Sequence, residues 1–373
     1  MKITVKGYIT CKGAEMYGDC ADNYALNADN HKFAISDGVS KSFFPKIWST
    51  ILVSEYVNNL ETDETSFINK CQQKWSKEIE NKINRPEAKW YTRIEYNRRT
   101  PALATFVGLQ FFENEQKWIA SALGDTFLFF LPEGYTNFLQ ELVVLSSKDD
   151  PLVFDNFPDY FTSIGHQHKG LPPKQIEIHS LSPGTFYLMT DALAEWFVNE
   201  QEKAKENINI WKDQKDFERF VELARADRAM SDDDSAILII NLKDDGQPNF
   251  SYDEQNVTNL SDLVDEEQLA FINNGQDSDS VKASTEVPVE NEVEIFSSSL
   301  LTSSTVDSEI KNDEEFLSQQ TVEENIVDQS LNDGPIQSAP DDILKQNKEA
   351  RNPSTPSDNQ NSNGSLTQIF DKF

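Results

Sequence analysis

The chain has 373 residues, with 64 acidic against 33 basic side chains and a formal net charge of −31. From Asp244 to the C-terminus there are 28 Asp/Glu and 6 Lys/Arg, and all six Trp, four His and three Cys lie before Asp244. The sequence therefore reads as a head, residues 1–243, and an acidic, Trp-free tail, residues 244–373, which is too poor in apolar side chains to offset chain entropy and is expected to be disordered. A polyanionic surface disfavours nucleic acid. No apolar run approaches the roughly 18 residues of a membrane span. MKITVKGYIT alternates where a signal peptide would be continuously apolar. Cys11, Cys20 and Cys71 leave an odd thiol and no CxxC pair. A cytoplasmic, monomeric protein with reduced thiols, no nucleic-acid partner and no membrane is the expectation.

Alternation predicts a first strand over Lys2–Thr10 and a pair at Tyr24–Asn27 and Lys32–Ser36 joined by a turn. The period then becomes helical. Phe44–Leu60 carries an apolar face, and Phe67, Cys71, Trp75, Ile79 and Ile83 recur every fourth residue over Glu64–Asn84. Ala102–Phe112, Lys117–Leu123 and Thr126–Leu131 are strands with connections short enough to require antiparallel pairing. Asp149–Gly170 is read as a long loop bordering a site. Strands at Gln175–His179 and Thr185–Met189, helices at Ala192–Asn199 and Ile208–Arg228, and a strand at Ser235–Leu242 complete the head. Strands and helices come in blocks, which argues α+β.

Acidic residues recur at strand ends. Asp37 follows Phe33–Ser36, Asp125 sits in Gly124-Asp125 between two strands, Asp191 follows Thr185–Met189, and Asp232, Asp233 and Asp234 precede the last strand. If these ends converge, their like charges require divalent cations, and oxygen-only ligands select Mg²⁺ or Mn²⁺.

The order of these motifs resembles the metal-dependent protein serine/threonine phosphatases of type 2C (the PPM family). The matching segments are FAISDGVS, ASALGDTFLF, FYLMTDALAEW and SDDDSAILII, with GDCADNYAL upstream and TPALATFVGLQF between. The resemblance spans about residues 10–242. It implies a two-sheet antiparallel β-sandwich flanked by helix pairs and hydrolysis of phosphoserine and phosphothreonine on proteins. Two Mn²⁺ or Mg²⁺ ions would activate a water for in-line attack, with a third, weaker ion in some members. Asp37 then corresponds to the bridging carboxylate, the Gly38 carbonyl to a ligand of the second ion, Asp191 and Asp232 to ligands of the first, and Asp22 to a ligand acting through water. Asp125 and Glu195 match the third-ion positions. The implied partners are a phosphorylated protein substrate and a cognate Ser/Thr kinase.

The chain also departs from the family pattern. Tyr17 stands where the family has a phosphate-binding Arg, with Lys12, Arg93, Arg98 and Arg99 as candidate replacements. Ala21 replaces an acidic residue. Ala192 replaces a Gly, which would strain a left-handed backbone. These departures define the alternative, a weak or inactive pseudophosphatase used as a binding module. A calcium buffer, resting on charge alone, lacks any EF-hand loop.

Overall fold

The computed structural model describes residues 1–59, 63–149, 152, 154 and 159–269. All of these lie in the first of the two units into which the chain divides, Met1–Ser284 together with Gly364–Phe373. The fold is α+β with antiparallel sheets. Its strands are β1 (Lys2–Thr10), β2 (Asn23–Asn27), β3 (Lys32–Ser36), β4 (Leu103–Ala104), β5 (Phe106–Phe112), β6 (Lys117–Leu123), β7 (Phe127–Pro132), β8 (Val143–Leu145), β9 (Tyr160–Thr162), β10 (His168–Lys169), β11 (Lys174–Ile178), β12 (Gly184–Met189), β13 (Ser235–Lys243) and β14 (Ser251–Val257). A six-stranded sheet runs β14-β1-β13-β12-β7-β8, a five-stranded sheet β11-β6-β5-β3-β2, and a three-stranded sheet β10-β9-β4.

Alternation decides which sheet face meets which layer. Ile3, Val5 and Ile9 of β1 share one buried cluster with Phe33 and Ile35 of β3, Val107, Leu109 and Phe111 of β5, and Leu238 and Ile240 of β13. That cluster draws on both large sheets, so their facing sides form one core. The opposite face of the six-stranded sheet, with Tyr8, Phe129 and Tyr187, packs on helices α5 (Asp191–Glu200), α6 (Glu202–Ile210) and α7 (Gln214–Ala226). The opposite face of the five-stranded sheet packs on α1 (Pro45–Asn58) and α2 (Glu64–Ile83) through Trp48, Leu52, Trp75 and Ile79. Asp63 starts α2 by accepting the Ser66 amide at 2.8 Å, which satisfies one of the helix's free donors.

Several expectations are corrected. The helix expected over Ile208–Arg228 is two: Trp211, 3% exposed, has extended backbone, and Asp213 caps α7 through the Asp216 amide. Burial of the Trp211 ring against Phe217 (5.2 Å between centroids) overrides helical continuity there. Helices α3 (Trp90–Asn97) and α4 (Phe138–Glu141) and strand β8 were not anticipated. The expected loop Asp149–Gly170 contains β9 and β10, and part of it lies outside the described residues.

The boundary at residue 243 also falls too early. β14 adds to β1 in parallel, with Ile3 beside Tyr252, so the large sheet is not purely antiparallel. Residues 260–269 are helical, and Leu260 and Leu263 enter the core between the sheets at 6% and 8% exposure. His31, a turn residue, stacks on Tyr252, and its Nδ1 lies 2.8 Å from the Tyr252 hydroxyl. The rest of the expected tail, including its C-terminal GSLTQIFDKF, lies outside the described residues. Among the described residues no helix is long and apolar enough to cross a membrane.

Candidate active site

The pairing register gathers the acidic residues. Asn23 opposes Ser36 across β2 and β3, so Asp22 and Asp37 flank that pair one residue beyond it. Met189 opposes Ile237 across β12 and β13, and the Thr190 amide donates to the Ala236 carbonyl, which brings Asp191 beside the segment that precedes β13. Asp234 links the two sheets: its Oδ1 accepts the Lys12 amide at 2.9 Å and its Oδ2 accepts the Ala21 amide at 2.7 Å. The Asp37 carbonyl accepts the Thr105 amide at 2.9 Å, tying the end of β3 to the segment between β4 and β5.

Burial makes this cluster electrostatically costly. Asp22 is 1% exposed, and among the described residues neither of its carboxylate oxygens has a hydrogen-bond donor. Burial, followed by the charges of Asp37 and Asp234, pushes its carboxyl well above the usual range. Asp37 is raised as well, by burial and then by Asp191 and Asp125. Asp191 is pushed up to about 6, by burial and then by Asp233. Asp233 is raised chiefly by burial. Like charges excluded from water prefer protons or cations, and these groups are oxygen donors of the kind that holds hard divalent ions. Among the described residues, no three carboxylate, imidazole or thiol groups are arranged to enclose one ion. The fit to a metal therefore rests on the orphaned oxygens of Asp22 and on the chemistry of the donor set.

Asp22, Asp37, Asp125 and Asp191 are brought together. Asp125 is 4% exposed at a turn made possible by Gly124, whose φ of +91° is left-handed and where a Cβ would meet the Asp159 carbonyl at 2.5 Å. Gly38 follows Asp37, donates to the Ala21 carbonyl at 3.3 Å and bridges Ala104. Glu195 is exposed on α5 one turn after Asp191, near enough for its charge to raise that carboxyl.

Asp232 departs from expectation. Its side chain is 62% exposed, lies 3.7 Å from Arg225 and accepts the Gly13 amide at 2.7 Å. Asp233 and Asp234 are the residues of that run whose charges reach the cluster: Asp233 acts on Asp37 and Asp191, and Asp234, held by the Lys12 and Ala21 amides, acts on Asp22 and Asp191. A run of three Asp did not reveal this, because the orientation depends on how the turn enters β13. Arg225 of α7 shapes that turn, donating to the Cys11 carbonyl at 2.9 Å, the Asp233 carbonyl and the Ser235 hydroxyl. Arg225 was not anticipated.

Ala192 carries no strain: its backbone is helical, and its amide donates to Asp191 Oδ1 at 2.6 Å. The Tyr17 hydroxyl donates to Glu218 at 2.5 Å. Arg93 binds the Ile83 and Arg85 carbonyls, Arg98 pairs with Glu95, and Arg99 is exposed with a left-handed φ of 57°, so none of the three is directed at the cluster. Lys12 is different. It feels the charges of Asp234, Glu15 and Asp233, and its ammonium donates to the Ser40 hydroxyl at 3.3 Å.

No family model matches the chain, and no curated protein matches it. Solved structures similar to it are PPM-type serine/threonine phosphatases. The catalytic domain of serine threonine protein phosphatase PstP in complex with two manganese ions is 12% identical, with a TM-score of 0.41, covering 65% of this chain and 99% of that one. The photosystem II phosphatase PBCP is 13% identical, with a TM-score of 0.44 and the same coverage. Serine/threonine phosphatase Stp1 from Staphylococcus aureus is 10% identical, with a TM-score of 0.42, covering 64% of this chain and 95% of that one.

Proposed function

We propose that this chain hydrolyses phosphoserine and phosphothreonine on proteins with the help of two Mn²⁺ or Mg²⁺ ions. The observation that carries the reading is the buried carboxylate of Asp22, without a donor among the described residues, beside Asp37, with Asp191 and Asp233 against them at the ends of strands from two sheets. Such a set favours hard cations over any arrangement of protein donors. The order of the Asp-Gly, Gly-Asp-Thr, Thr-Asp-Ala-Leu and Asp-Asp-Asp-Ser motifs along the chain supports the same reading.

In this reading Asp37, Asp191 and Asp233 hold the ions, with the Gly38 carbonyl and Asp22 completing the set. Asp125 and Glu195 would serve a third, weaker ion. When bound, the ions supply Lewis acidity and an activated water. The protein's own part is positioning. Asp234 holds the Lys12 and Ala21 segments at the cluster. The Lys12 ammonium would pair with a phosphate oxygen, as the replacement for the Arg absent at Tyr17. The fold would be the two-sheet sandwich flanked by helix pairs, with β14 and the following helix as its extension. A cytoplasmic monomer whose substrate is a phosphoprotein supplied by a cognate kinase completes the proposal.

The test uses the full chain with Mn²⁺. Phosphate release from a phosphothreonine peptide, abolished in Asp37→Asn while its melting temperature in chelator is no lower than the parent's, is the expected result. Absence of turnover together with absence of Mn²⁺ binding by calorimetry would overturn the reading.

A further inference from the structure

The outer face of the five-stranded sheet carries a second feature, away from the carboxylate cluster. Outward positions of β5, β6 and β11, among them Phe106, Gln110, Ser121 and Gln175, floor a cavity of about 210 Å³. Tyr56 at the end of α1 and Phe67 in the second turn of α2 form its walls. Gly108 permits this arrangement, because a Cβ there would meet the Tyr56 ring at 2.5 Å. The helix layer thus rests directly on β5 and leaves the neighbouring strip of sheet open.

Lys32 of β3 reaches the same cavity and is only 3% exposed. Its ammonium donates to the Asn59 carbonyl at 2.6 Å and lies 5.1 Å from the Tyr56 ring centre. Burial alone accounts for its lowered pKa, with no neighbouring carboxylate contributing among the described residues. Two carboxylates also line the cavity: Asp63 already accepts the Ser66 amide, and burial raises the Glu64 carboxyl, which favours its neutral form. An ammonium has three donors, and a buried cation without a counter-charge is costly. Aromatic walls, amide side chains and one cation with no carboxylate partner among the described residues suit a carboxylate on an apolar body. The volume admits roughly ten non-hydrogen atoms.

We propose that this cavity is a binding site for a small organic monocarboxylate with an aromatic body, its anionic head paired with Lys32 and its body lying among Phe106, Phe67 and Tyr56. The site is independent of the phosphatase reading.

The experiment is calorimetric titration of the full chain with 3-phenylpropionate and with its neutral counterpart 3-phenylpropanamide. One saturable site for the acid with a Kd below about 1 mM is expected, with the amide weaker by about tenfold or more. Lys32→Met should remove that preference, and Ser121→Phe, which fills the cavity from its floor, should abolish binding at unchanged melting temperature. No saturable binding of the acid, equal binding of acid and amide, or binding that survives Ser121→Phe would each overturn the proposal. Should Lys32→Met fail to fold, the acid–amide comparison on the native chain answers the same question.

Discussion

The carboxylate of Asp22, 1% exposed, lies against that of the half-buried Asp37, and among the described residues no other group donates to it. Two acceptors in contact repel unless a proton or a cation lies between them. Asp22→Asn supplies a donor to Asp37. In chelator, the variant should unfold at higher urea concentration than the parent chain, by about 1.5–3 kcal/mol, the range for a hydrogen bond to a charged group. With Mn²⁺ the same variant should lose phosphate release. A variant less stable than the parent in chelator would show that Asp22 is held by something other than Asp37.

The same repulsion sets a pH dependence. Asp191 is raised to about 6 in the fold against an unfolded value near 3.9, and Asp22 and Asp37 are also raised. The folded state therefore holds its protons more tightly, and the stability this contributes is complete below about pH 4 and lost as pH rises through about 6. The melting temperature in chelator should fall across that window, and Asp191→Asn should flatten the fall. Mn²⁺ should flatten it too, by replacing the protons. A parent and variant with parallel profiles would refute the assignment to Asp191.

How much of this was legible in the sequence depends on which interaction decides each element. Helices α1 and α2 and the strands around Asp37 and Asp191 follow from local periodicity, because one face of each is buried in a single layer. β14 and the helix at 260–269 were missed because their apolar residues are few. Leu260 and Leu263 suffice only because the sheets leave a place for them, a tertiary fact with no local signature. The break at Trp211 was missed for the same reason. At the site, the strand-end carboxylates could be named from the sequence, Asp233 among them, whereas the inward turn of Asp233 and the part of Arg225 could not. Which of three adjacent Asp turns inward is fixed by the bonds from Arg225 to the Cys11 and Asp233 carbonyls, across a separation of more than 200 residues in the first case.

That orientation is directly testable. Asp233→Asn should lower kcat by about 10²-fold or more and weaken Mn²⁺ binding, as loss of a charge-stabilising group does. Asp232→Asn should change either by less than about threefold, since its side chain is 62% exposed and its partners are Arg225 and the Gly13 amide. Titration of Mn²⁺ against both variants separates the cases. The reverse ranking would restore Asp232 as the ligand and make Asp233 a turn residue.

Lys12 gives a prediction with a different kinetic signature. Its ammonium pairs with Glu15 at 3.4 Å, donates to Ser40 and feels the charges of Asp234 and Asp233, so it is placed to meet an anion arriving at the cluster. Lys12→Ala should raise KM for a phosphothreonine peptide about tenfold with a smaller change in kcat, and Lys12→Arg should restore most of it. An unchanged KM would leave the departure at Tyr17 without compensation and remove Lys12 from the phosphate site.

The C-terminal limit of the fold carries the remaining prediction. β14 pairs along β1, the Tyr24 hydroxyl donates to the Thr258 carbonyl, and Leu260 and Leu263 are buried between the sheets. Each leucine contributes about 1.5–3 kcal/mol by burial, before the strand pairing is counted. Residues 1–269 should therefore melt within a few degrees of the full chain, whereas residues 1–243 should melt about 10 °C lower or more. The loss should also reach the site. Glu267 accepts the Tyr17 amide at 3.0 Å, and Tyr17 belongs to the segment between β1 and β2 that also carries Lys12. Glu267→Ala in the full chain should raise KM while leaving the melting temperature nearly unchanged, because it frees that segment without opening the core. Equal melting of the two truncated chains would place the boundary back at Lys243, and a KM indifferent to Glu267 would limit the extension to a stabilising role.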